Sequence, residues 1–237
     1  MAIERHVRVY EASGGTYESV AVYDPTAGEQ PGLLIFPNFL GTKEWDFAKG
    51  EKLAALGFKV LVVDFYGQGK RGTDMASGAA LMTDLASDRA AMREKLRAHH
   101  AELFRLPDVK PGRVAAIGFC FGGKCVLDLA RSGANIAGVV NHGVYDAPSI
   151  PNEKIVAKLL VNHGWNDDYC PPEATVALAQ ELTAADVDWQ LIAYSRTGHA
   201  FTANDVPQNA EQSFGFQPDT DRRSWQATVN FYEETFG

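Results

Sequence analysis

The stretch Ile117-Gly118-Phe119-Cys120-Phe121-Gly122-Gly123 decides the fold. Residues 113–119 read as a buried strand, and 122–131 as a helix ended by Gly133, so the stretch is the turn between them. A nucleophile set one residue from a glycine on either side, at a strand-to-helix turn, is the pattern of a nucleophile elbow, here with Cys120 in the place of serine. The glycines have a mechanical purpose: at so tight a turn, strand and helix approach too closely for side chains. The helix N-terminus behind Cys120 carries partial positive charge. That charge lowers a thiol pKa and favours the thiolate, which is the reactive form. A buried cysteine packed into a glycine turn is the competing structural reading.

On the N-terminal side, 6–10 and 17–23 alternate in polarity and are joined through Ser13-Gly14-Gly15, a hairpin signal. Leu33-Leu34-Ile35-Phe36, stopped by Pro37, and 59–65 are continuous apolar runs that fit strands buried on both faces. Between them 43–56 is helix-like and ends at Gly57. Ser77 is expected to cap one long helix, with Leu81, Leu85, Met92 and Leu96 at helical spacing and Pro107 and the Lys110-Pro111-Gly112 turn closing it. On the C-terminal side, 136–141, 157–162 and 187–194 read as strands. Pro171-Pro172 opens a helix running to Leu182, and 221–236 is the last helix. The stretch 202–218, rich in Asn, Gln and Pro, is irregular and is expected to cover one edge of a site. An antiparallel pair followed by alternating strands and helices implies one α/β domain over 1–237 with a mostly parallel sheet.

Elbow enzymes of this type present nucleophile, acid and histidine in that chain order. Downstream of Cys120 come His163-Gly164-Trp165-Asn166-Asp167-Asp168-Tyr169-Cys170-Pro171 and, after the last strand, Thr197-Gly198-His199-Ala200-Phe201. Both loops leave the strand ends where open α/β sheets place their sites. Asp167 and Asp168 compete for the role of the acid. His199 alone has the terminal-strand position expected of the base. His6, His99 and His100 lie on a strand and a helix and are read as solvated. His142 and His163 end strands, where they line a site or bond loop backbone.

With these segments in place, the chain resembles the dienelactone hydrolase family of α/β-hydrolases, the carboxymethylenebutenolidase-like enzymes. The resemblance rests on the three segments above and on Asp64-Phe65-Tyr66-Gly67, Tyr194 and Arg222-Arg223-Ser224-Trp225. It implies the α/β-hydrolase fold, with helices on both faces of the sheet. It also implies a triad of Cys120 as nucleophile, Asp167 as acid and His199 as base, alignment through Pro171 favouring Asp167 over Asp168. The oxyanion hole would use the backbone N–H groups of Phe121 and of Phe39, the latter in Pro37-Asn38-Phe39-Leu40-Gly41.

Two departures from the family pattern stand out. Many relatives carry glutamate at Asn38, and asparagine can hydrogen-bond a thiol but cannot take its proton. Gln68 and Ala203 occupy the positions of the archetype's carboxylate-binding arginines, and Lys70 and Arg71 read as solvent-facing charges. Dienelactone itself is therefore not carried over as the substrate. The pocket wall is expected to draw on Phe36, Asn38, Phe39, Trp45, Tyr66, Gln68, Tyr145 and Phe201. The expected reaction is hydrolysis of an activated ester or lactone through a thioester, with no metal and no other cofactor. A phosphotriester is an alternative substrate for the same site. A metal-dependent hydrolase built on His142, His163, His199 and Asp167, and a non-catalytic thiol sensor, are the competing classes.

Composition limits the partners. With 22 Lys+Arg against 30 Asp+Glu, the formal charge is −8, which argues against nucleic acid and against an anionic membrane surface. A hydrophobic content of 46% with 22% charged residues is that of a globular protein. The longest apolar runs, such as Val60-Leu61-Val62-Val63, fall far short of the roughly 20 residues of a membrane span. The three cysteines, Cys120, Cys125 and Cys170, form no CxxC pair, and no HExxH occurs. The charged start Met1-Ala2-Ile3-Glu4-Arg5-His6 is unlike a signal peptide. The expectation is a reduced, cytoplasmic enzyme, a monomer or weak homodimer, acting on a small-molecule ester or lactone.

Overall fold

The structure, a computed structural model, describes residues 2–237; Met1, at the head of the charged N-terminal run, lies outside them. Among the described residues, eight strands follow the order β1-β2-β4-β3-β5-β6-β7-β8. The first pairings, β1 with β2 and β2 with β4, are antiparallel, while β3 with β4, β6 with β7 and β7 with β8 are parallel. With six helices among the described residues, between and after the strands, this is the expected α/β class. Two compact units share the chain, one running through Ala116 and including Ser149–Pro151, the other formed by Ile117–Pro148 and Asn152–Gly237.

In the first unit, β1 (Glu4–Ala12) and β2 (Gly15–Tyr23) form the hairpin foreseen from sequence. Ser13 and Gly14 both take positive φ, 43° and 75°, as a two-residue turn matched to strand twist requires. β3 (Gln30–Phe36) and β4 (Lys59–Val62) flank α1 (Glu44–Ala55). At the end of α1, Gly57 adopts φ 94°, and Phe58 and Gly57 donate back to Leu53 and Ala54 carbonyls, closing the helix as glycine permits.

Four expectations are corrected here. The apolar run 59–65 is strand only to Val62, because the buried Asp64 carboxylate organises a turn. Its Oδ1 accepts from the backbone N–H groups of Tyr66 and Gly67 at 3.2 and 3.0 Å and from Arg71 at 3.1 Å. The single long helix is two, α2 (Met75–Ser87) and α3 (Arg89–Leu103). Asp88 turns extended between them, with φ −121° and ψ 95°. Its carboxylate accepts from Ala90 and Ala91 N–H at 3.0 and 2.9 Å, so an N-cap ends one helix as it starts the next. Asp74 caps α2, while Ser77 Oγ, at the third helical position, accepts from Asp74 N–H. His99 is not solvated: it is fully buried, hydrogen-bonded through Nδ1 to the Tyr10 hydroxyl at 2.7 Å and edge-on to Tyr17. Burial pushes its pKa down to about 3, because a desolvated imidazolium is unfavourable. His6 and His100 are partly exposed.

β5 (Val109–Phe119) starts earlier than its apolar core and runs from the first unit into the second. In the second unit follow α4 (Phe121–Arg131), β6 (Ala137–Asn141), β7 (Lys158–Gly164), α5 (Pro172–Ala184), β8 (Asp188–Tyr194) and α6 (Pro218–Phe236). β6 is buried along its whole length and β7 from its second residue onward, as parallel strands covered on both faces must be. Behind their C-terminal ends, Asn162 donates to Asn141 at 3.1 Å and accepts from the Tyr194 hydroxyl at 3.1 Å. No helix among the described residues is long and apolar enough to cross a membrane.

Candidate active site

β5 delivers Cys120 and α4 receives it. Cys120 sits at φ 55°, ψ −116°, a region that costs a non-glycine residue about 1–3 kcal/mol and persists only where its surroundings enforce it. The enforcement is visible in the backbone. Cys120 N–H is shared between the Asn141 carbonyl and His142 Nδ1, each at 3.1 Å. A Cβ on Gly118 would lie 2.0 Å from the Gly122 carbonyl oxygen, so strand and helix close at this turn only without side chains. Of the three cysteines, Cys120 is partly exposed, whereas Cys125 and Cys170 are buried. Burial pushes the Cys170 thiol up to about 12.

Asp167 and His199 come from the loops after β7 and β8. The Asp167 carboxylate is divided between two tasks. Its Oδ1 accepts the backbone N–H groups of Tyr169 and Cys170 at 2.9 and 3.2 Å, and its Oδ2 meets His199 Nδ1 at 2.8 Å. Asp168, its competitor in the sequence, is exposed. The irregular 202–217 segment folds back on His199: Ser213 carbonyl accepts from His199 N–H at 2.8 Å, and Gly215 N–H donates to His199 carbonyl at 2.9 Å. Gly198 permits this approach, since a Cβ there would lie 1.9 Å from the Ser213 carbonyl carbon.

The His199 imidazole is 3% exposed. Burial alone would depress its pKa, but the adjacent Cys120 sulfur and then the hydrogen bond with Asp167 outweigh that, and His199 is raised to about 10. His199 also hydrogen-bonds the Cys120 side chain. Such a cluster favours an imidazolium–thiolate pair at neutral pH.

His142 is buried and bonds backbone at the Cys120 turn. Its Nδ1 accepts the Cys120 N–H, and its Nε2 meets Thr202 Oγ1 at 2.8 Å. Accepting at Nδ1 fixes the neutral tautomer with the proton on Nε2. His163 is fully buried between the Tyr145 hydroxyl and Thr175, each at 3.1 Å, and desolvation lowers its pKa. Tyr145 is thereby committed, and Phe201 is fully buried against His142. Among the described residues, no three His, Cys, Asp or Glu side chains are grouped to hold a metal ion.

The first unit holds the other sequence candidates. Asn38 Oδ1 accepts Leu40 N–H at 2.9 Å and its carbonyl accepts Gly41 N–H at 2.9 Å. The Tyr66 hydroxyl donates to Phe39 carbonyl at 2.8 Å. Both ends of the 39–40 peptide are therefore anchored, and the turn carrying Phe39 is held rigid. Phe36 is fully buried beneath it in β3. Trp45, on α1, packs under the Lys49 ammonium. Tyr66 and Gln68 line a cavity of about 410 Å³ with the Ser13–Tyr17 hairpin tip, Lys70 and Lys95, and Gln68 donates to Glu18 at 2.9 Å.

Two aromatic residues around His199 were not singled out in the sequence. Tyr169 lies with its ring centroid 5.0 Å from the imidazole, and Phe214 stacks on it at 6.1 Å with an interplanar angle of 13°. Tyr169 remains 58% exposed. Only the fold-back of 202–217 reveals Phe214, which lies far from any motif.

Comparison with known proteins agrees with this fold. A family model described as the dienelactone hydrolase family matches residues 19–236. The solved structure of m3DLH superposes with a TM-score of 0.93 at 33% identity, covering 100% of both chains. A dienelactone hydrolase-like promiscuous phosphotriesterase from metagenomic libraries superposes with a TM-score of 0.92 at 29% identity, again over 100% of both chains. An uncharacterized protein of Caenorhabditis elegans is 31% identical over 161 residues, 64% of this chain and 99% of its own length.

Proposed function

The chain belongs to the dienelactone hydrolase family, whose members are ester and lactone hydrolases, and from that premise we propose that it hydrolyses activated esters or lactones with Cys120, His199 and Asp167 as its triad. The observation that carries the proposal is the 2.8 Å contact of Asp167 with His199, itself hydrogen-bonded to a cysteine at a strained elbow.

In the proposed cycle, the Cys120 thiolate adds to the acyl carbon. The oxygen that becomes negative is held by Phe121 N–H, at the first position of α4. The tetrahedral adduct collapses, His199 Nε2 gives its proton to the departing oxygen, and a thioester remains. His199 then takes a proton from water, which adds to the thioester, and a second collapse returns the thiolate and releases the acid. Asp167 holds the imidazole with Nδ1 toward itself, leaving Nε2 for both transfers. Asn38 Oδ1 is committed to Leu40 N–H, and an amide cannot take up a thiol proton. Hydrolysis of p-nitrophenyl acetate by wild type and by Cys120→Ala tests the cycle. The expected result is loss of turnover to background, and wild-type activity in the variant would refute it.

The structural likeness to a phosphotriesterase favours a second substrate for the same machinery. Its phosphoryl oxygen would take the place of the acyl oxygen at Phe121 N–H. Release of p-nitrophenol from an aryl phosphotriester, lost in Cys120→Ala, is the expected outcome; no release above background would remove this reading.

A further inference from the structure

We infer that Tyr169, backed by Phe214, is a stacking platform for the leaving group, so that the enzyme selects substrates whose departing alcohol is aromatic. The inference rests on the proposed role of His199 as the acid that protonates the departing oxygen.

The geometry is local to the second unit. His199 Nδ1 is committed to Asp167, so Nε2 alone is left to reach the leaving oxygen, within about 3 Å at proton transfer. A ring attached to that oxygen must then lie beside the imidazole. Tyr169 is already there, with its centroid 5.0 Å from that of His199 and its plane inclined by 52°. Phe214 stands 6.0 Å from Tyr169 and stacks on His199.

Exposure separates Tyr169 from the neighbouring aromatics. Phe119 and Phe201 are 3% and 0% exposed and already packed, whereas Tyr169 is 58% exposed. An exposed ring of that size gains by being covered. Its backbone is fixed nonetheless, because Asp167 Oδ1 holds Tyr169 N–H. One carboxylate thus sets both the base and the platform, so little ordering is left to be lost on binding.

An aryl alcohol is also a better leaving group than an alkyl alcohol, and the test must separate stacking from acidity. Phenyl acetate and hexafluoroisopropyl acetate release alcohols of similar acidity and leave the same acetyl group on the enzyme. The ratio of their kcat/KM values therefore reports leaving-group recognition alone. An aromatic contact is worth about two- to tenfold in that ratio. The expected result is a fall of that size in Tyr169→Ala, carried by KM, with the ratio retained in Tyr169→Phe. An unchanged ratio in Tyr169→Ala overturns the platform. So does an equal loss on both esters, which would make Tyr169 a mere support for His199. Cys120→Ala measured alongside separates the two claims: its inactivity upholds the triad whatever Tyr169 does, and its activity refutes the triad and the platform with it.

Discussion

Replacing Asp167 by asparagine changes one atom and tests the arrangement of the whole site. The Tyr169 and Cys170 N–H groups need an acceptor, so the remaining carbonyl oxygen stays on their side. The new amide nitrogen then faces His199 Nδ1, where Oδ2 stood at 2.8 Å. A donor now opposes a donor. The neutral imidazole must carry its proton on Nε2, the nitrogen that in the proposed cycle has to accept from water. The charge is lost as well: opposite unit charges this close, at an effective dielectric near 20, attract by about 4–6 kcal/mol. That corresponds to a loss of about 10³- to 10⁴-fold in kcat/KM. Circular dichroism should be unchanged, because both backbone hydrogen bonds survive. Asp168→Asn, at an exposed neighbour, is expected to stay within about threefold of wild type. A loss below tenfold in Asp167→Asn, or an equal loss in Asp168→Asn, would refute the reasoning.

Alkylation by iodoacetamide should modify one cysteine in the native protein. The raised pKa of His199 keeps it cationic beside Cys120 through neutral pH, and that charge is lost only as pH rises through about 10. Cys120 is therefore expected to react at pH 6, while His199→Gln moves its reactivity up toward the usual thiol range near 8.5; an unmoved pH profile would contradict the pairing. Gly118→Ala should cost about 3 kcal/mol or more in urea unfolding, because the added carbon overlaps the Gly122 carbonyl. Asp88→Ala leaves the first-turn amides of α3 without their cap and should lower Tm by about 2–8 °C with little change in kcat.

The turn at Cys120 and the loops carrying Asp167 and His199 could be read from sequence because each couples a polar or sulfur side chain to glycines that only one backbone geometry explains. Gly118 and Gly198 are needed for close approach, and the approach is what identifies the turns. The break at Asp88 was harder to read. Residues 75–103 keep helical spacing throughout, and a single aspartate cap inside such a run resembles a surface residue until its carboxylate is seen bonded to Ala90 and Ala91. The same is true of Asp64, which ends a strand by side-chain chemistry within an apolar run. The burial of His99 leaves no local trace, because a polar residue on a mixed helix looks solvated, while the neighbours that bury it, Tyr10 and Tyr17, are far away in sequence. Tyr169 and Phe214 meet only because 202–217 folds back through Ser213 and Gly215. Loop-to-loop contacts of that kind leave no periodic trace.

The most direct test is to trap the covalent intermediate. Wild type is mixed with phenyl acetate, quenched in acid during turnover, digested and analysed by mass spectrometry. The expected result is one acetyl group on the peptide containing Cys120, absent from Cys120→Ala and accumulating further when His199→Gln slows hydrolysis of the thioester. Turnover by wild type with no acetyl on that peptide, or with the group on Cys125 or Cys170 instead, would contradict the assignment of Cys120 as the nucleophile.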